Sequence, residues 1–314
     1  MTRKCADLGE RQLVRKITKI LGITEKDDCA VLDAGDRYLV WTTDMLHRET
    51  DFPPAATPWQ MGWMTAAVNL SDLAAMGAEP LGLLVAVGVP PDAEIGFLDE
   101  LFSGLRDCAR RYGTEILGGD LDSHRELTLT GSALGQVEKD LILRRRGAHP
   151  GDLVCTTGSL GSAGAGLRQV LDQGLAKTEL AKRLLEPVPR LVEGRALARS
   201  GAVTAMMDNS DGLALSLSDL AEASGLGFVV REDLIPVSAE VEEAAKTGED
   251  MIGLVLHAGG DFELLFSVRP DGIEAAREAC DLTVIGVAVE EGVWIESGGI
   301  MRPLLPKGYE HFRP

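Results

Sequence analysis

The residues of this 314-residue chain best suited to chemistry are aspartates, and what marks them is where they fall. Asp27 and Asp28 precede the apolar run CAVL, Asp44 closes WTTD, Asp120 closes ILGGD, and Asp208 and Asp211 bracket the turn after VTAMM. In open α/β sheets, ligands gather at strand ends. Taken singly, each Asp reads as a turn former or a helix N-cap. Converging as a set, they repel one another unless divalent cations sit among them, and hard oxygen ligands of this kind suit Mg2+. The segment 59–76 adds a second sign. It is mostly apolar, yet Thr65, Asn69 and Asp72 fall at i, i+4 and i+7, a narrow polar stripe. That stripe is either the wet edge of an amphipathic helix or a buried acid seeking a partner such as a metal.

The string DNSDG at 208–212 has its own mechanics. Ser210 or Asn209 can cap a helix starting near Asp211, leaving free N–H groups for a phosphate. Asp208 and Asp211 flank that place with negative charge, so a phosphate shares it only through bridging Mg2+, as in phosphoryl transfer. The glycine-rich run 158–166 suits either a phosphate or close helix packing. No Gly-Lys-Ser/Thr follows it, and no GxGxxG follows a strand.

The elements that must position these residues alternate. Apolar spacing predicts helices over 10–21, 59–76 (closed by Gly77), 94–112, 212–224 (closed by Gly225), 239–246 and 273–279. A further helix leaves the glycine-rich turn. Strands are expected over 29–32, 38–42, 81–89, 115–117, 127–136, 153–156, 203–207, 228–230, 263–268 and 283–287. Strands alternating with helices, twice over, mean two α/β units. The break falls in RRRGAHPG, dividing the chain into 1–148 and 149–314.

Composition narrows the partners. Lys and Arg total 31 against 49 Asp and Glu, a net charge of −18, which argues against nucleic acid. Five scattered cysteines without a CxxC pair point to a reducing compartment, the cytoplasm. The N-terminal stretch turns acidic before an apolar run can build a signal peptide, and the longest apolar run, 81–89, is about half a membrane span.

The ordered set DDCAVL from Asp27, TTDML from Thr42, NLSDLAAMGAEP from Asn69, GGD from Gly118, RRRGAHPGD, DNSDG from Asp208, GGDFELLF from Gly259 and KGYEHF from Lys307 resembles the thiamine-monophosphate kinases. These belong to the ATP-binding superfamily of aminoimidazole ribonucleotide synthetase and selenophosphate synthetase. NLSDLAAMGA and DxSDG indicate the superfamily; the full set with the closing KGY points to the kinase. The resemblance implies two α/β domains of the synthetase-like type, with mixed sheets flanked by helices. It implies a homodimer whose N-terminal domain serves ATP, Mg2+ and dimerisation while the C-terminal domain completes the active site. The implied reaction is transfer of the ATP γ-phosphoryl to thiamine monophosphate.

Carried over by matched motif, the resemblance implies Asp28, Thr42, Thr43, Asp44, Asp72, Asp120, Asp208 and Asp211 as metal ligands. It implies Asp28, Thr43, Tyr112, Gly119, Asp120, Arg145 and Ser210 at the nucleotide, with Asp208, Asp211 and Arg145 carrying catalysis. Arg145 is chemically indistinguishable from Arg144 and Arg146, and the trio also reads as a solvated basic turn. Tyr309 would border the thiamine. The chain departs from the family pattern at Lys26 (usually Gly), at Asp51 (often a substrate-contacting His) and at Gly260 (usually acidic), leaving Asp51, Asp261 and Glu263 as acceptor-side candidates. The acceptor is an ionised phosphate, so no general base is required. Rivals are another enzyme of the superfamily, such as selenophosphate synthetase, and a non-catalytic ATP-binding subunit.

Overall fold

A computed structural model describes residues 4–174 and 176–312, leaving outside it the outermost residues of both expected domains. The first half is a five-stranded sheet in the order β1-β2-β5-β3-β4, built from β1 (Ala30–Asp33), β2 (Arg37–His47), β3 (Glu79–Val89), β4 (Ile116–Ser123) and β5 (Thr128–Glu138). Only β3 and β4 run parallel, joined by α3 (Ile95–Arg111). The second half is a seven-stranded sheet in the order β12-β11-β8-β10-β6-β9-β7. Its strands are β6 (Leu153–Thr156), β7 (Val203–Asn209), β8 (Gly227–Arg231), β9 (Glu263–Val268), β10 (Thr283–Val289), β11 (Val293–Ser297) and β12 (Ile300–Pro303). Both sheets are mixed, as expected.

Between the halves stands α2 (Pro58–Ala75). Thr57 caps it by accepting from Gln60 N and Pro58 opens its first turn, two standard start signals. Almost all of α2 is buried. It packs on α3, β2 and β5 of its own half, and on α6 (Leu191–Ser200) and β7 of the other. Glycines make these approaches close. A Cβ on Gly62 would collide with the Leu101 carbonyl of α3, one on Gly194 of α6 with the Ala74 carbonyl, and one on Gly131 of β5 with Asn69. The polar stripe is therefore not a wet edge. Thr65 and Asn69 are fully buried against β5, their side chains donating back to Met61 O and Thr65 O.

Strands run longer than local pattern indicates. Asp44 lies inside β2 and Asp120 inside β4, not at strand ends, because hydrogen bonds to β5 and β3 carry both strands onward. Local pattern did not mark α5 (Glu179–Leu185), α6, α9 (Gly248–His257), β11 or β12. Helix α1 (Glu10–Leu21) forms where its periodicity predicts, but no residue of it is buried. Arg11 and Arg15 tie its polar face to Asp219 and Glu222 of α7 (Leu213–Ser224), while Val14, Ile17 and Ile20 are exposed. No helix among the described residues is long and apolar enough to cross a membrane.

Overpacking against backbone has no flexible side chain to relieve it. Gly62→Ala should therefore lower unfolding free energy by roughly 2 kcal/mol, read as a denaturation midpoint shift at unchanged slope.

Candidate functional site

The central helix brings three carboxylates from distant parts of the chain together. Asp28 precedes β1, Asp72 sits on the last turn of α2, and Asp208 is near the end of β7; one oxygen of each lies within 4.8 Å of the others. Asp208 is anchored by two hydroxyls, Ser71 Oγ donating to Oδ2 at 2.8 Å and Ser210 Oγ to Oδ1 at 3.2 Å. Asp72 accepts from Thr42 Oγ1, which shares the inward face of β2 with Asp44 by strand alternation. Asp28 Oδ2 is buried without a donor.

Three ionised carboxylates at this spacing repel by roughly 3–4 kcal/mol per pair at an effective dielectric of about 20, on the order of 10 kcal/mol together. That rivals the net stability of a whole domain. Protons or cations must relieve it. Burial first, and then neighbouring acids, push Asp208 up to about 7 and Asp44 to about 6, with Asp72 also raised well above the usual range. Asp211 is raised to about 6 by burial and by Glu10. The same burial and acids push up the Cys29 thiol in their midst. A buried oxygen without a donor and hard oxygens at this spacing fit a divalent cation held by Asp28, Asp72 and Asp208, with Asp44 and Asp211 in the same field.

Cationic and hydroxyl partners border the acids. Arg145 Nη2 reaches Asp28 Oδ1 at 2.6 Å, whereas Arg144 pairs with Asp27 and Arg146 with Glu25. The adjacent arginines thus have different jobs. Burial opposes the Arg145 charge, but Asp28 beside it raises its pKa overall. Arg145, Asp211 and Glu10 line one 630 Å3 cleft between α1 and α7.

The turn 208–212 is held from two sides. Gly260 N donates to Ser210 O at 2.7 Å, Phe262 N to Asn209 O at 3.2 Å, and Tyr309 N to Asp211 O at 3.0 Å. Gly212, at φ +98°, lets the chain swing into α7. Asp51 Oδ2 accepts from His47 N and Thr50 Oγ1, both at 2.7 Å, and the nearby Tyr309 hydroxyl is pushed up to about 12, by burial first and then by Asp51.

The other sequence candidates stand elsewhere. Thr43 points to the opposite face of β2, donating to Gly131 O at 2.8 Å. Gly119 and Asp120 lie on the exposed edge strand β4. Tyr112 ends α3, edge-on to Trp63 at 6.4 Å between centroids. Asp261 accepts from Gly161 N and Ala163 N at the start of α4 (Ser162–Gln173), and burial raises it to about 6. Glu263 is buried with Arg190 and Thr157. The glycine-rich run serves packing: a Cβ on Gly166 would collide with the Leu180 carbonyl of α5, and one on Gly158 with Glu263. Ser71 was missed in the sequence; only its place beside Asp72 could have drawn notice.

Two family models match the chain, the AIR synthase related protein N-terminal domain over 26–137 and the C-terminal domain over 149–295. The thiamine-monophosphate kinase of Methanospirillum hungatei is 39% identical over 305 residues, covering 97% of this chain and 99% of the relative. That of Halobacterium salinarum is 40% identical, covering 87% and 91%. A solved structure described as AaThiL complexed with AMPPCP and TMP superposes with a TM-score of 0.91 at 29% identity, covering 99% of each chain.

Carboxyls with raised pKa make the folded chain bind more protons than the unfolded one between about pH 4 and 7, so they cost stability as pH rises through that window. The metal-free protein should melt higher at pH 6 than at pH 8, and an added divalent salt should raise the melting temperature more at pH 8. Asp208→Asn should shrink both differences in paired thermal melts with chelator or salt.

Proposed function

The chain belongs to the AIR synthase related family and, within it, to the thiamine-monophosphate kinases, and from that membership we propose the reaction it performs. It is an enzyme that uses ATP to phosphorylate thiamine monophosphate to thiamine diphosphate. The observation that carries the residue-level reading is the meeting of Asp28, Asp72 and Asp208 from both halves, with Arg145 beside them.

Asp28, Asp44, Asp72, Asp208 and Asp211 hold Mg2+ in this reading, joined by Thr42. Bound Mg2+ supplies charge neutralisation for two anions that would otherwise repel. The chain's own groups do the rest. Ser210 and the N-terminus of α7 offer donors to phosphate oxygens where the turn 208–212 enters the helix. Arg145 adds a fixed cationic charge. The acceptor is a phosphate ionised at neutral pH, so positioning rather than proton removal limits transfer. Tyr309 and Asp51, close to each other, offer an aromatic ring and a carboxylate to the cationic thiazolium. Asp261 and Glu263 act on this reading as supports of the glycine-rich turn, since backbone amides and Arg190 occupy them.

We divide the labour at residues 148/149 and place the reaction in the cytoplasm, where five free cysteines fit a reducing milieu. The same reading pairs two copies across the open face of the first sheet. By alternation, Trp41, Met45 and Leu84 point away from α2 and are about half exposed, and Leu117 beside them is 65% exposed. A second copy covers such a face at less cost than water does. Thr43 and Asp120 lie on that face, so the nucleotide would meet them at the dimer seam.

Purified protein with ATP, Mg2+ and thiamine monophosphate should yield thiamine diphosphate by chromatography. Turnover on selenide or a purine precursor instead, or nucleotide binding without turnover, would sink the reading. Asp208→Asn should reduce kcat by about 100- to 1,000-fold, in the range of losing a main transition-state electrostatic contact, with an unchanged circular dichroism spectrum. Trp41→Glu with Leu84→Glu should convert a dimer to a monomer in sedimentation velocity.

A further inference from the structure

Asp28 has two claimants. Its Oδ1 accepts from Arg145 Nε at 3.1 Å and Nη2 at 2.6 Å, while its Oδ2 is buried without a donor. The same side chain that pairs with Arg145 is therefore one corner of the cation-binding set. A guanidinium on one oxygen and a divalent cation on the other would be like charges across a single carboxylate, in a buried place where screening is weak.

The neighbouring bonds show which partner can move. Asp27 and Asp28 divide the arginine between them. Asp27 Oδ1 accepts from the backbone amide of Arg145 at 3.0 Å, and Ser224 Oγ donates to its carbonyl at 3.2 Å. Met206 N donates to Arg144 O at 2.8 Å, fixing the segment to β7. Asp28, by contrast, touches only the guanidinium end of Arg145. The backbone is pinned and the long side chain is not, so the guanidinium can leave Asp28 by side-chain rotation alone. It has somewhere to go, because Arg145 already lines the 630 Å3 cleft with Arg146 and Asp211.

We propose that Arg145 is a metal-gated phosphate ligand: it serves as the internal counter-ion of Asp28, and Mg2+ entering among Asp28, Asp72 and Asp208 drives its guanidinium into the cleft to meet the phosphates. The proposal rests on the Mg2+ reading above. It makes metal and nucleotide binding mutually reinforcing, since each removes the other's competitor, and such coupling is reciprocal. It also gives a reason for an arginine here rather than a lysine. Two N–H groups on one oxygen hold the resting position, and a reach of several ångströms allows the second.

Calorimetric titration of the full chain with MgCl2, in the absence of nucleotide, tests this on wild type, Arg145→Gln and Arg145→Lys. Arg145→Gln should bind Mg2+ at least 10-fold more tightly than wild type, with Arg145→Lys between them. With Mg2+ saturating, Arg145→Gln should bind a non-hydrolysable ATP analogue at least 10-fold more weakly. A second readout needs no variant. The Arg145 Nε–H resonance of 15N-labelled wild type should be protected from solvent exchange before MgCl2 is added and lose that protection afterwards. Equal Mg2+ affinity in wild type and Arg145→Gln, or an Nε–H still protected at saturating Mg2+, overturns the gating proposal and leaves the metal site standing. A wild type that binds no Mg2+ overturns the metal reading beneath it.

Discussion

The repulsion among buried carboxylates is the constraint that organises this molecule. Asp28, Asp72 and Asp208 stand within 4.8 Å of one another, and three like charges so close are tolerable only with protons or cations among them. A chain relaxing freely would let them drift apart. They are held instead by α2, whose glycine-mediated contacts with α3, β5 and α6 leave it little room to shift. Packing energy spread over a helix maintains an electrostatic conflict concentrated in one spot, so the cluster is primed to take up positive charge.

The sequence strings around the cluster divide into groups that meet the acids and groups that support them. GGDF and KGY flank no carboxylate of the cluster. Their backbone amides donate to the carbonyls of Asn209, Ser210 and Asp211, fixing the turn that carries Asp208 and Asp211. Asp261 is consumed in capping α4, and Glu263 in pairing with Arg190. At φ +97° position 260 suits glycine, and the supporting hydrogen bond comes from its backbone N–H rather than from a side chain.

Much of the fold was legible because local periodicity and tertiary demand agree. The strands Leu153–Thr156 and Glu263–Val268 and the helices Glu10–Leu21 and Ile273–Ala279 appear at the expected bounds. Elements that local pattern did not announce owe their form to neighbours. Helix α6 carries Gly194, a poor helix former by propensity, and is stabilised where that glycine meets α2. The ladder to β8 that sustains β11 joins residues more than sixty positions apart, which no local window sees.

By itself, the sequence determined the site's chemistry: aspartates in quantity beside short hydroxyl residues and an arginine, with no histidine among them, a set whose donor types suit hard cations and phosphates rather than proton transfer. It also determined the two α/β halves, because hydrophobic period is a local property of the chain. Only the tertiary structure decided which residues of that chemistry meet. Asp28, Asp72 and Asp208 come from three elements joined by α2; Arg145 was separated from Arg144 and Arg146 by which carboxylate each could reach; and Thr43 was turned from Thr42 by the pleat of one strand. Distance along a chain does not fix distance in space, and a side chain's charge says nothing about the neighbour that will already have claimed it.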